Sequence, residues 1–566
     1  MSADRTGIPL NRRSFLGVAA ATAGAAAAAP LLASCGTSGA SGTGSTSASE
    51  LAKIMPAYTP SSLVKPDIPS VNGSDPGYLS YPTSLVRTVS ETPGSGGSYT
   101  TITPLWGSIP PASNSYYQAV NKALGAQLTI QPSNGNLYGT FLPTLFAGNK
   151  LPDWIDIPSY MTQPLNFGQA VGARFTDLTP YLSGDNIKKY PNLASIPSGG
   201  WQSGIWNNKI YGIPSFPANA AFNGAIYYRA DILDKLGIGT PTIKSAQDLY
   251  DLGKEVNDPK GKRWAFDDLW TYLQQPFGIP NALPFWASNS KGDLVASYET
   301  DEIIEAMNWE HSIYAAGMMN PDAVALDTSS AKQRFWSGQE VIVGDGTGAW
   351  NGSDALLGKA SNPPYVRMAL PPFTASGTGT PTYALQNTGT LFSYLSKNLT
   401  KSQVEECLRI ANYLAAPYGS YEYTLVNFGV QGVDWTPSSA GPVYTTLGTK
   451  NANQDTFQFL VTGPSVQYVQ SGYTDVVKAY CAWEQKACQV KYKPLFYDMN
   501  VSYPASLNSA IATGSEGGAL YDMINNVVRG RNTIADYKAA VKTWQNTGGN
   551  ALRKFFDGIR SKYGDA

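Results

Sequence analysis

The spacing of apolar positions along this chain changes several times, and each change predicts an element. Tyr99–Trp106 (YTTITPLW) reads as a strand, with Gln127–Gln131 and Asp153–Ile157 as two further short ones. Helical spacing fills the gaps, from about Ser113 to Leu124 and around Tyr138–Ala147. Such a β-α-β-α-β run predicts a parallel, doubly wound sheet, whose ligand crevice lies outside the carboxyl ends of the strands. Farther along, Trp206–Tyr211 reads as a hairpin around Asn207-Asn208, and Ala225–Arg229 as a strand. Ala230–Leu236 reads as a helix stopped by Gly237, and Ser245-x-x-Asp248 is a capping box opening another. Three helices close the chain: about 519–529 before Gly530, Thr533–Trp544 capped by Thr533-x-x-Asp536, and 550–563. Leu520, Ile524 and Val527, then Tyr537, Val541 and Trp544, then Leu552, Phe556 and Ile559 mark their core faces.

The first hundred residues break this pattern. Arg12-Arg13 precedes Ser14-Phe15-Leu16, an Ala-rich stretch runs from Gly17 to Leu32, and Leu32-Ala33-Ser34-Cys35 follows. Residues 1–35 resemble a twin-arginine export signal joined to a bacterial lipoprotein cleavage site, in which Cys35 becomes the lipidated first residue. The apolar stretch is too short, and too rich in Ala, Gly and Thr, to span a bilayer comfortably. Membrane attachment then rests on lipid chains alone, at roughly 0.8 kcal/mol per buried CH2. Residues 36–98, first Gly/Ser/Thr-rich and then punctuated by Pro, read as a flexible tether and extended arm. Within it, YLSYPTSLVRTV carries enough apolar residues to pack along a folded body.

Composition narrows the chemistry. The chain carries 40 Lys+Arg against 41 Asp+Glu without long basic runs, which argues against a nucleic-acid partner. His311 is its only histidine, so metal triads and Ser-His-Asp chemistry would both hang on one residue. No C-x-x-C occurs, which removes the usual cysteine zinc site. Cys481 and Cys488, seven apart on a helical pattern, stand about 10 Å apart at 1.5 Å per residue. A disulfide needs Cα atoms within about 7 Å, so these two should not pair with each other, while a bridge involving Cys407 stays open.

Six segments carry a resemblance. They are Phe175–Leu182 (FTDLTPYL), Trp206–Pro214 (WNNKIYGIP), Tyr227–Leu233 (YYRADIL) with Leu236-Gly237, Met319–Asp322 (MNPD), Phe335-x-Ser337-Gly338 before Val341–Gly344, and Asn427–Val433 (NFGVQGV). In their order and spacing, residues 95–566 resemble the extracellular solute-binding lipoproteins of bacterial carbohydrate ABC transporters, and more narrowly the lipoprotein LipO/LplA-like subgroup. The resemblance implies an α/β, two-lobe periplasmic-binding-protein-like fold with hinge crossings and a central ligand cleft. Carried onto this chain, lobe 1 is 99–222 plus 385–435 and lobe 2 is 223–384 plus 436–566. The crossings then fall near Pro214–Gly224, Ala384–Thr390 and Gly432–Pro437. It also implies a monomeric receptor, anchored to the outer face of the cell membrane, that delivers a carbohydrate to ABC permease subunits and catalyses nothing. No cofactor is expected. Many relatives carry an acidic, EF-hand-like loop where this chain has Asn257–Trp264; Lys262 and Arg263 stand where calcium needs carboxylates, so no metal is expected either.

Sugars present apolar C–H faces between rings of hydroxyls, so their sites combine aromatic platforms with hydrogen-bonding side chains. With 13 Trp, 34 Tyr and 19 Phe, most aromatics must be packing, and only position selects among them. Trp106 and Tyr160 follow first-lobe strands, and Phe216 lies at the first implied crossing. Trp286 lies in a segment (NALPFWASNSKGD) resembling one near the family cleft, and Trp350 follows the strand Val341–Gly344. Asn387 and Trp435 lie near the later crossings. Asp345 and Asn387 can exchange hydrogen bonds with hydroxyls, or serve turns beside glycine. Two other readings remain: a secreted glycoside hydrolase or lyase using cleft carboxylates about 5–10 Å apart, and an adhesin or envelope scaffold with no small ligand.

Overall fold

Two sheets, joined by three passages of chain, carry the structure. It is a computed structural model that describes residues 48–564, apart from 163–164, 281–285, 326–327, 387, 439–440, 455, 470–471, 498, 500, 502 and 516. The export segment with Cys35, and the candidate Asn387, lie outside the described residues. No described helix is long and apolar enough to cross a membrane.

The first sheet grows from Ser98–Leu105, which pairs in parallel with Gln127–Asn134 on one side and Trp154–Asp156 on the other. The connecting helices Ser115–Leu124 and Tyr138–Ala147 lie where the sequence predicts, the first beginning two residues later than its expected start near Ser113. Asn114 caps the first by accepting the Tyr117 N–H, and Gly125, at φ +64°, stops it. Beyond Trp154–Asp156 the sheet is mixed. Leu391–Leu395 lies antiparallel between that strand and Gly212–Ser215, with Ser393 facing Asp156 on one side and Ile213 on the other. The second sheet orders Arg367–Ala369, Ala225–Arg229, Glu340–Asp345 and Trp264–Phe266, the second strand antiparallel to both neighbours. Its core takes in Leu520, Ile524, Tyr537, Trp544, Leu552 and Phe556 from the three closing helices. The capping boxes at Ser245/Asp248 and Thr533/Asp536 both form. His311 Nδ1, on the helix Asp301–Ala315, donates to the Val528 carbonyl at 2.8 Å, tying that helix to the first of the three closing helices.

The chain passes between the sheets at 216–224, 385–390 and 462–473, and the passages are bonded to one another. Phe216 N–H donates to Thr462 Oγ1 at 2.6 Å, Ala218 N–H to Thr388 O at 2.9 Å, and Ser465 N–H to Pro217 O at 3.1 Å. The third passage differs from the expected Gly432–Pro437. There Gly429 and Gly432, at φ +79° and +81°, end the helix Tyr421–Phe428 and turn the chain back into the hairpin Trp435–Ser438/Gly441–Tyr444. Ala452, Phe457, Leu460 and Val461 then pack in the first sheet's core before the chain crosses.

The segment 51–97, which reads as an extended arm, is bound along the body. Leu51 is buried in the first core, and Gly77-Tyr78 pairs in parallel with Gln467-Tyr468. The arm has few ladder bonds, so carboxylates of the body serve its backbone. Glu422 accepts the N–H groups of Thr88 and Val89, and Glu406 those of Ser95 and Gly97 together with the Tyr99 hydroxyl. Cys407, Cys481 and Cys488 are buried free thiols. In the 257–264 loop, Asp258 accepts the Gly261 N–H and Arg263 Nε donates to the Val256 carbonyl, so both side chains serve the turn.

Candidate ligand-binding cleft

The strand ends of the two sheets border a cavity of about 1650 Å³, with the three passages as its floor. Parallel strands deliver the first wall: Trp106 stands directly after Ser98–Leu105, Tyr160 after Trp154–Asp156, and Phe216 after Gly212–Ser215. These rings are 47%, 53% and 39% exposed, an unusual state for side chains of this size. Phe459 joins them from the segment before the third passage, with its centroid 5.7 Å from Trp106 and 5.4 Å from Phe216. Trp106, Phe459 and Phe216 thus form one run of touching rings. Phe216 sits at φ +50°, a region bulky side chains avoid, and its bond to Thr462 holds it there.

Facing this wall are Thr347, Gly348, Leu357, Tyr298 and Tyr503. Three buried polar atoms of lining residues, Ser203 Oγ, Trp206 Nε1 and Gln386 Nε2, have no hydrogen-bond partner among the described residues. Such atoms are rare in folded proteins and are commonly completed by water or ligand. Asp75 and Glu484 lie deeper. The Asp75 carboxylate accepts from Ser465 at 2.5 Å, Gln467 at 3.1 Å and Asn219 at 3.4 Å, while its N–H donates to Glu484 at 2.9 Å.

Residues 107–436, more than half of the chain, match the bacterial extracellular solute-binding protein family. The chain belongs to that family. Lipoprotein LipO of Bacillus subtilis is 23% identical over 245 residues, 40% of this chain and 46% of that protein, so the match spans about half the length of this relative. Solved structures share the fold over about four fifths of the chain. A substrate-binding protein from Listeria monocytogenes in complex with cycloalternan is 14% identical, covering 80% of this chain and 99% of its own at a TM-score of 0.52. The N-glycan transport solute-binding protein of Streptococcus pneumoniae, in complex with Man1GlcNAc, is 16% identical, with 82% and 98% covered and a TM-score of 0.57. An HMO-binding solute-binding protein from Bifidobacterium longum infantis is 14% identical, with 83% and 100% covered and a TM-score of 0.59. At these identities the likeness is one of fold.

In this solute-binding protein Trp106, Tyr160 and Phe216 come together on the cleft lining. Trp286, Asp345, Trp350 and Trp435 do not. Trp286 is buried with its ring 5.6 Å from Phe556. Trp350 is 1% exposed and packs among Tyr227, Tyr480 and Trp483. Its neighbours Thr347–Ala349 line the cleft instead, because the irregular turn at Trp350–Asp354 swings the indole inward. Asp345 pairs with Arg367 and Lys332, and Arg367 in turn stacks 3.5 Å over Tyr227. Trp435 is buried and donates its indole N–H to the Gly429 carbonyl. Phe459, Gln386 and Ser203 escaped sequence reading, since only the true third crossing brings Phe459 beside Phe216.

Burial, followed by the neighbouring Asp75, pushes the Glu484 carboxyl well above its usual range, against the pull of Lys491; burial likewise raises Asp75. An acid raised in the folded state favours folding below its unfolded value, about 4.3 for Glu, and loses that advantage as pH climbs toward the folded value. Glu484→Gln keeps an acceptor for the Asp75 N–H and removes the charge. It is expected to raise the unfolding midpoint by ~2–4 °C at about pH 8 and to change it little at about pH 4. A lower midpoint at the higher pH would mean that the Glu484 charge stabilises the hinge.

Proposed function

We propose that this solute-binding protein captures a carbohydrate, of oligosaccharide size, between its lobes and hands it unchanged to an ABC permease. The exposed rings of Trp106 and Phe216, bridged by the buried Phe459, carry the reading. Aromatic faces match the C–H faces of pyranose rings, and the amides and hydroxyls around them match ring hydroxyls. The bound ligands of the Listeria and Streptococcus relatives, cycloalternan and Man1GlcNAc, support it. The twin-arginine pair, the Cys35 motif and the LipO relative support export and lipid anchoring at the outer face of the membrane, with the receptor acting as a monomer. Cys35→Ala is expected to move the protein from the membrane to the soluble fraction; unchanged partitioning would contradict the anchor.

Against the hydrolase reading, the two carboxylates on the lining among the described residues, Asp75 and Glu484, are 2% and 1% exposed and engaged by protein donors. They offer no free acid and base to a glycosidic bond.

A thermal-shift screen against neutral and charged oligosaccharides finds the ligand, because binding to the folded state alone raises the midpoint. With a hit in hand, Trp106→Ala and Phe459→Ala are each expected to cost at least ~2 kcal/mol of binding, about thirtyfold, with the fold still cooperative. Parent-like affinity in both variants would remove the wall from the site. New products in the same incubations, lost on Glu484→Gln, would return the hydrolase.

A further inference from the structure

The cleft's charge inventory says more about the ligand. The chain has 40 Lys+Arg, yet no Lys, Arg or His lines the cavity among the described residues. Beyond residue 47 the undescribed residues include no base either. Lys493 approaches the outer side, 5.4 Å from the Tyr497 ring, but its side chain is exposed to water, which screens it. An anion drawn into this cavity would shed its hydration and meet no cation in return.

A cation meets no free acid among the described residues either. The only acids on the described lining are Asp75 and Glu484, at the floor, where Ser465, Gln467, Asn219 and a backbone N–H already occupy their oxygens. Burial raises both and favours their neutral forms. What the described lining does present is uncharged: rings at Trp106, Phe216 and Phe459, and groups at Gln386, Ser203 and Asn427 that both donate and accept.

We infer that the cleft selects electrically neutral oligosaccharides and rejects uronate, sialylated, phosphorylated and free-amine sugars of the same ring size. This rests on the carbohydrate reading above and narrows it. N-acetylated amino sugars remain within the accepted class, because acetylation removes the charge.

The test uses probes matched in ring number and opposed in charge: mannotetraose against the mannuronate tetramer, galactotetraose against the galacturonate tetramer, and N-acetylated chitotetraose against the fully deacetylated tetramer. Each is titrated into the mature chain by calorimetry at low and high salt. At least one neutral member is expected to bind more than a hundredfold tighter than its charged counterpart, with an affinity that changes less than twofold with salt. A charged member that binds as well as its neutral partner, or binding that collapses with salt, overturns the selectivity and leaves the carbohydrate reading standing. If no probe and no sugar of the wider screen binds, the carbohydrate reading itself falls, and this inference with it.

Discussion

One carboxyl group of the N-terminal arm sits where both lobes and the chain between them meet. Asp75 accepts from Asn219 on the first passage and from Ser465 and Gln467 on the third, and its N–H donates to Glu484 on the helix Thr474–Gln489. Removing that many polar groups from water is costly unless each finds a partner, and here they find one another. The rungs between passages, such as Phe216 to Thr462 and Ala218 to Thr388, lie beside this knot. Without a fixed floor the aromatic rings above it would have no common frame. Phe216 ties the two together most directly, since its left-handed backbone donates its N–H to Thr462 on the third passage.

The fold above that floor explains why the wall is aromatic and exposed at once. Parallel strands leave their carboxyl ends open to a crevice; two first-sheet strands run directly into a large ring, Trp106 or Phe216, and a third reaches Tyr160 four residues after its end. Elsewhere in the molecule rings of the same kind are buried in clusters: Trp350 with Tyr480 and Trp483, and Tyr78 with Tyr418 and Tyr468. Position relative to the strand ends separates the two populations.

Much of this was legible from local signals. The first β-α-β-α-β run, the hairpin with both Asn207 and Asn208 at positive φ, the two capping boxes and the three closing helices depend on neighbours a few residues apart. Long-range partners were not legible. The strand Leu391–Leu395 inserts antiparallel into a sheet begun far earlier, and nothing in FSYL announces that place. The arm looked like linker because its partners, Glu406, Glu422 and Glu484, lie hundreds of residues downstream. At the site, strand ends identified Trp106 and Tyr160, whereas Trp350 missed by one turn: the segment borders the cleft, but the irregular backbone at Gly352 points its ring into the core.

A crystal structure of the mature chain bound to a neutral oligosaccharide identified by thermal shift tests the central claim most directly. Sugar rings stacked on Trp106 and Phe459, between the lobes and above Asp75, with hydroxyls bonded to Gln386 or Ser203, are expected. A sugar bound on an outer face, or one that leaves those two rings untouched while filling the cleft, would contradict the account.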